Sequence, residues 1–169
     1  LMRDMVHTRK ATLPLLMPAL SDTLNLYKRT PPAQRDANKQ LCYEQDGALH
    51  AVGAVADQLM KRKAYKGSLE LMLVEYVLPC FSSPHGFLRA RACWVFQQFA
   101  SLNFGIEHNL QLAVHQVIKK LRDPELPVQM AAASSLRYLI ESETTTIVMG
   151  PVIPEVLTEY FRLTSELGV

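Results

Sequence analysis

A chain of 169 residues with 49% apolar and 20% charged side chains is long enough to bury a substantial core and too hydrophobic to remain disordered. It has no run of eighteen apolar residues, which excludes a membrane-spanning helix. Its net charge of +2, evenly spread, excludes nucleic-acid binding driven by charge alone.

In chain order, Leu1 to Thr8 (LMRDMVHT) reads as the tail of a helix from an earlier unit, and position 1 is not an initiator methionine. Leu13, Leu16, Met17 and Leu20 then fall at i, i+3, i+4 and i+7, the spacing that places side chains on one helix face. Arg29 to Gln40 (RTPPAQRDANKQ) has two prolines, many charges and no apolar residue beyond alanine, which predicts a solvated loop. A helix predicted from near Tyr43 carries Ala48 and Val52. The cluster Lys61, Arg62, Lys63 and Lys66 closes it, where cations favour the negative end of the helix dipole.

The stripe returns at Leu69, Met72, Leu73 and Tyr76, and Pro79 ends or kinks that helix. Ser82 to Gly86 supply a turn, after which Leu88, Ala92, Val95, Phe96 and Phe99 keep one face apolar. Trp94 sits off the centre of that face, placed to cover the edge with a neighbouring unit or to touch a ligand. A third stripe runs through Leu110, Ala113, Val114 and Val117, followed by Ala132 and Leu136. A fourth, Ile153, Val156, Leu157 and Tyr160, closes the series.

Ala48, Ala92 and Ala132 lie 44 and 40 residues apart, and the last three stripes start 41 and 43 apart. A period near forty made of two helices is the signature of HEAT-type repeats. The predicted fold is therefore all-α: a HEAT-repeat α-solenoid of about three and a half antiparallel helix pairs in an open right-handed stack. Residues 1–8 are the tail of a preceding repeat, 10–60 a repeat with a loop at 29–42, 67–104 and 107–141 two more, and 146–168 an unpaired first helix. The chain reads as a piece of a longer array, and neither end resembles a signal or transit peptide.

Chemistry is sparse. No phosphate-binding glycine loop, zinc helix or nucleophile elbow is present, so no catalytic, metal or cofactor residue is predicted, and no enzyme activity. His7, His50, His85, His108 and His115 never pair at i+3 or i+4, the spacing a helical metal site uses. Cys42, Cys80 and Cys93 form no CxxC pair, and their odd number fits a reducing compartment.

The stretch Asp46 to Phe99 resembles the middle repeats of the importin-β family of nuclear transport receptors, within it the importin-seven/eight branch. The matching pieces are DGALH at Asp46–His50, KRKAYK at Lys61–Lys66, VLPCFSS at Val77–Ser83 and RARACWVF at Arg89–Phe96. LRDPELPVQMAAASSL, Leu121–Leu136, resembles the following repeat with more departures. The resemblance implies a receptor several times longer that shuttles between nucleus and cytoplasm through pore proteins of the nuclear envelope. It would bind protein cargo on the wall of second helices and release it to the GTP-bound small GTPase Ran. The main Ran contacts of that family lie in N-terminal repeats, so no Ran site is expected here. Basic cargoes such as ribosomal proteins or histones would call for acidic residues on that wall, and Glu44, Asp46, Asp57, Glu141 and Glu143 are the candidates, opposed by Arg89 and Arg91. Neither nucleic acid nor membrane insertion is expected. A HEAT-type scaffold or adaptor unrelated to transport is the alternative.

HEAT proteins often place an aspartate in the turn of a repeat and an arginine six residues on. Here one unit has Asp123 with Gln129 and the other Ser83 with Arg89. With each unit holding half the device, Arg89 is expected to reach Asp123 in the next repeat.

Overall fold

A computed structural model describes residues 12–168. Its helices are α1 (Thr12–Arg29), α2 (Pro32–Ala37), α3 (Lys39–Ala54), α4 (Ala56–Lys61), α5 (Lys63–Lys66), α6 (Leu69–Met72), α7 (Gly86–Gln98), α8 (Glu107–Lys119), α9 (Leu126–Glu141), α10 (Thr146–Met149) and α11 (Ile153–Leu167). No strand occurs among the described residues. The tail assigned to 1–8 lies outside them.

The helices pair as α1 with α3 and α8 with α9, the turns Leu73–Ser82 that follow α6 pack on α7, and α11 packs against the turn Lys120–Arg122. The second helices α3, α7 and α9 lie side by side in one row. Ala48, Ala92 and Ala132 are all buried in that row, together with Val52, Phe96 and Leu136. A small side chain lets two helices approach, and the large one a turn later fills the seam. The result is one continuous apolar cluster from Leu13 of α1 to Leu163 of α11. A satellite of Tyr27, Leu41, Cys42 and Leu88 sits beside it. This is an all-α, HEAT-like stack.

Four local features differ from the expectations above. The charged stretch 29–42 is not wholly a loop. Pro32 starts α2, where its missing N–H costs nothing, and Asn38 caps α3 by accepting from the Leu41 N–H at 3.2 Å. Helix α3 thus begins at Lys39. The helix expected to close at Lys66 breaks at Val55 and again at Arg62, so Lys61 ends α4 while Lys63 and Lys66 belong to α5.

Beyond α6 the chain passes through a π turn, Leu73–Val77, and a 3-10 turn, Leu78–Ser82. Pro79 lacks the N–H an α ladder needs, and its ring crowds the carbonyl four residues back, so the ladder re-registers around it. In the fourth stripe Val156 is buried and Tyr160 half-buried, but Ile153 and Leu157 are exposed, and Glu159 and Leu163 complete the buried face. Glu159 tolerates burial because Arg122 and Arg162 reach it at 2.5 and 2.9 Å.

Candidate interaction surface and inter-repeat bonds

The turns that open α7 and α9 superimpose in their chemistry at an offset of forty residues. Ser83 and Asp123 share one backbone geometry, with φ −63, ψ 142 and φ −64, ψ 145 respectively. Each side chain accepts the N–H two residues on, from His85 at 3.2 Å and from Glu125 at 3.1 Å. Arg89 Nη1 donates to Ser83 O at 2.9 Å, and Gln129 Nε2 donates to Asp123 O at 2.6 Å. The residue six positions after the turn therefore closes it in both units.

Arg89 is longer than Gln129 and does more. Its Nε donates to Asp123 Oδ2 and its Nη2 to Asp123 Oδ1, both at 2.7 Å, a bidentate bond between consecutive repeats. Nη2 also reaches Glu125 Oε1 at 3.0 Å, and Lys120 Nζ stands 3.6 Å from Asp123. Both Arg89 and Asp123 are buried. Burial pushes the Asp123 carboxyl upward, but the Arg89 hydrogen bonds, the Glu125 N–H and Lys120 outweigh it and hold the group below the usual carboxylate range.

A second stitch joins the first helices. Glu70 of α6 accepts from the Gly105 N–H at 2.7 Å, the Ile106 N–H at 3.2 Å and Asn109 Nδ2 at 2.7 Å. It fixes the approach to α8 by binding the backbone N–H groups just before the helix, where Ile106 at the N-cap has no side-chain acceptor of its own.

Along the row of second helices, α3 and α7 meet in a ladder. Tyr43 stands over Phe87 with ring centroids 5.3 Å apart, Arg91 binds Asp46 at 2.8 Å, and His50 meets Trp94 edge-on at 5.1 Å. Arg91 also covers the Trp94 ring, 5.1 Å from its centroid. Trp94 presses on Gly53, where a Cβ would lie 2.3 Å from ring carbon Cζ3. Trp94 thus covers the edge between two repeats.

That contact makes a signed prediction. Gly53→Ala should destabilise the chain by about 1–3 kcal/mol through overpacking. In a Trp94→Ala background the same change should stabilise it by about 0.5–1 kcal/mol, since alanine is the better helix former. Thermal unfolding of the four proteins reads both signs. An alanine at 53 that stabilises both backgrounds would remove Trp94 from the seam.

Most of the acidic candidates are engaged within the chain. Asp46 is held by Arg91, Glu141 accepts from Arg137 at 3.1 Å, and Glu44 accepts from Gln40 at 2.9 Å. Asp57 and Glu143 are exposed, Asp57 with an interaction of its own. What the wall presents to solvent includes Tyr43, Phe87, Met130 and Tyr138, with Trp94 half-covered.

His85 Nε2 lies 2.9 Å from Asp36 O, and His50, His108 and His115 are exposed, while His7 is outside the described residues. No group of three or more His, Cys, Asp or Glu side chains able to hold a metal occurs among the described residues. Cys42, Cys80 and Cys93 are free and buried. Burial pushes the Cys80 thiol up to about 11 and that of Cys93 up to about 12, which keeps both protonated and unreactive. No helix among the described residues is long and apolar enough to cross a membrane.

Stacked helix pairs with a shared seam and a repeated turn define a HEAT-type helical-repeat protein. An importin beta-like SAD2 homolog from Arabidopsis thaliana is 44% identical over 122 residues, 72% of this chain and 12% of its own length. Importin-8 from Homo sapiens is 38% identical over 125 residues, 73% of this chain and 12% of its own. A probable importin-7 homolog from Dictyostelium discoideum is 32% identical over 164 residues, 96% of this chain and 15% of its own. The chain belongs to the importin-7/8 branch of the importin-β family, and it spans only those small fractions of its relatives' length. No family model matches the chain, and no solved structure matches it.

Proposed function

We propose that this chain is a segment of a nuclear import receptor, whose full-length form binds protein cargo and carries it through nuclear pores under the control of Ran-GTP. The observation that carries the reading is the 44% identity to an importin beta-like protein across 72% of the chain. The stack supports it as a binding wall: a row of second helices with aromatic side chains at its surface. Localisation follows the same reading, nucleus and cytoplasm with passage through the envelope.

Within that reading, the wall favours cargo recognition by apolar and aromatic anchors over a free acidic seat. Trp, Tyr, Met and Arg are the side chains that dominate interface energetics, and four of the five candidate acids already have an interaction within the chain. Basic cargo, if taken here, would have to displace Arg91 from Asp46 or Arg137 from Glu141. The alternative, a HEAT-type scaffold, predicts partners indifferent to nucleotide. Immobilised full-length protein offered Ran locked to GTP or to GDP separates the two. Retention of the GTP form alone, with cargo released by it, is the expected result. Equal or absent retention of both forms overturns the transport reading.

A further inference from the structure

The two seams between complete units differ in how their buried polar groups are paired. Between the second and third units every buried side-chain donor and acceptor has a partner. Besides the Arg89–Asp123 bond, Ser135 Oγ donates to Cys93 O at 2.8 Å across α7 and α9, and Ser142 and Thr144 both donate to Ala100 O, at 2.8 and 3.0 Å. Opening that seam would strand charged and polar groups that are now satisfied.

The seam between the first and second units holds the opposite feature. Gln45 of α3 is 1% exposed, and its Nε2 donates at 3.4 Å to Tyr76 O, the carbonyl at the point where the π turn gives way to the 3-10 turn. Its Oε1 has no hydrogen-bond partner, and it is the only such buried side-chain atom among the described residues. An unpaired buried amide oxygen destabilises the closed seam, and that cost disappears when water reaches it. The remaining polar ties across this seam lie nearer the surface. Lys28 meets Glu75 at 2.8 Å with both side chains over a third exposed, Tyr76 Oη donates to Asn25 at 2.7 Å, His85 Nε2 lies 2.9 Å from Asp36 O, and Arg91 and Asp46 are 23% and 24% exposed. Water can replace the most exposed of them, Lys28–Glu75, at little cost.

The backbone next to this seam also carries the one π turn among the described residues. The π turn Leu73–Val77 and the 3-10 turn Leu78–Ser82 lie on one side, and the break at Val55 on the other. Such irregular turns absorb changes in φ and ψ that a continuous α ladder resists.

We infer that the first helix pair (α1, α3) hinges against the second (α6, α7) at Gln45 and the Leu73–Ser82 turns, while the second and third pairs move as one body. The hinge opens by hydrating Gln45. The neighbouring seam stays shut because its opening would leave Arg89 and Asp123 apart. Such a hinge would let a repeat wall adjust its curvature at one defined place.

Spin labels on exposed first-helix positions test this through distance distributions. The pair Leu26→Cys with Leu71→Cys spans the proposed hinge, and Leu71→Cys with Leu112→Cys spans the closed seam, the native cysteines being buried. The first distribution should be about twofold broader than the second, as expected of a hinge beside a rigid seam. Gln45→Met removes the unpaired oxygen at similar volume, and it should narrow the first distribution without changing the second. Equal widths in the unsubstituted background overturn the inference, and they can be read even if Gln45→Met fails to fold. A Gln45→Met protein that folds and keeps the broad distribution also overturns it.

Discussion

Replacing Arg89 by alanine should cost the chain about 3–5 kcal/mol, because it leaves the Asp123 carboxylate buried without its counter-ion. Asp123 is 4% exposed and takes both of its Arg89 hydrogen bonds from the preceding repeat. Its other donors, the Glu125 N–H and Lys120 at 3.6 Å, do not replace a bidentate guanidinium. Arg89→Lys should recover only part of the loss, since an ammonium cannot bind both oxygens and the Ser83 carbonyl in the same geometry. Arg89→Met combined with Asp123→Leu should be far less damaging than either truncation, as expected for a buried pair removed together. Chemical denaturation of the unsubstituted chain, Arg89→Ala, Arg89→Lys, Asp123→Leu and the double substitution gives the comparison. A loss under about 1 kcal/mol for Arg89→Ala, the level of an exposed pair, would mean that the bond does not join the repeats.

The same bond sets a pH dependence. The Asp123 carboxyl is held below its ordinary value in the folded chain, so its unfolded form binds protons first as the pH falls. The stability it contributes is fully present above the unfolded value of about 3.9 and is lost as pH drops through the lower, folded value. The stability difference between the unsubstituted chain and Asp123→Asn should therefore stay constant from neutral pH down to about pH 5 and shrink toward about pH 3. A difference that widens on acidification would reverse the sign assigned to this group.

Phe96→Ala is the second large effect, with an expected loss of about 3–5 kcal/mol. Phe96 is 3% exposed, stacks on Phe81 at 5.8 Å between centroids, and lies one turn beyond Ala92 in the row of second helices. Removing the ring leaves a cavity that three close-packed helices cannot collapse into. The loss should appear in unfolding of the stack as a whole, because the apolar cluster is continuous from α1 to α11. Phe96→Leu should keep more than half of the stability. Two separate unfolding transitions in Phe96→Ala, one near the midpoint of the unsubstituted chain, would show that the units do not share one seam.

What could be read from the residues was what repeats. The apolar stripes at helical spacing, the alanines near every fortieth residue and the large apolar group four positions after each are local, periodic features, and the buried seam runs through them. The half-devices Ser83 with Arg89 and Asp123 with Gln129 were legible for the same reason: two copies of one turn lie forty residues apart, and alignment of the chain with itself sets Ser83 against Asp123 and Arg89 against Gln129. The fourth stripe shows the limit of that method. Helical spacing placed Leu157 inward and passed over Glu159, but burial there follows the arginines of the preceding turn, which spacing on one helix does not include.

Other features belonged to the tertiary structure alone. The charged segment after α1 folds partly into a helix because Arg35 finds the Tyr27 ring, 4.7 Å to its centroid, and His85 reaches the Asp36 carbonyl from the next unit. Glu70 holds the backbone that leads into a helix thirty-six residues away, and Asp46 is neutralised by Arg91 from the neighbouring helix. Neither contact is visible in helical spacing, because a carboxylate's availability depends on what stands across from it.

The sequence by itself determined the kind of element, the period and the stacked architecture, since helix formation and amphipathic burial depend on neighbours within a turn or two. Only the tertiary structure decided which charges are engaged, where the ladder re-registers and which amide oxygen is left without a donor. Those outcomes depend on atoms brought together from positions thirty to fifty residues apart, where a shift of about one ångström separates a hydrogen bond from none.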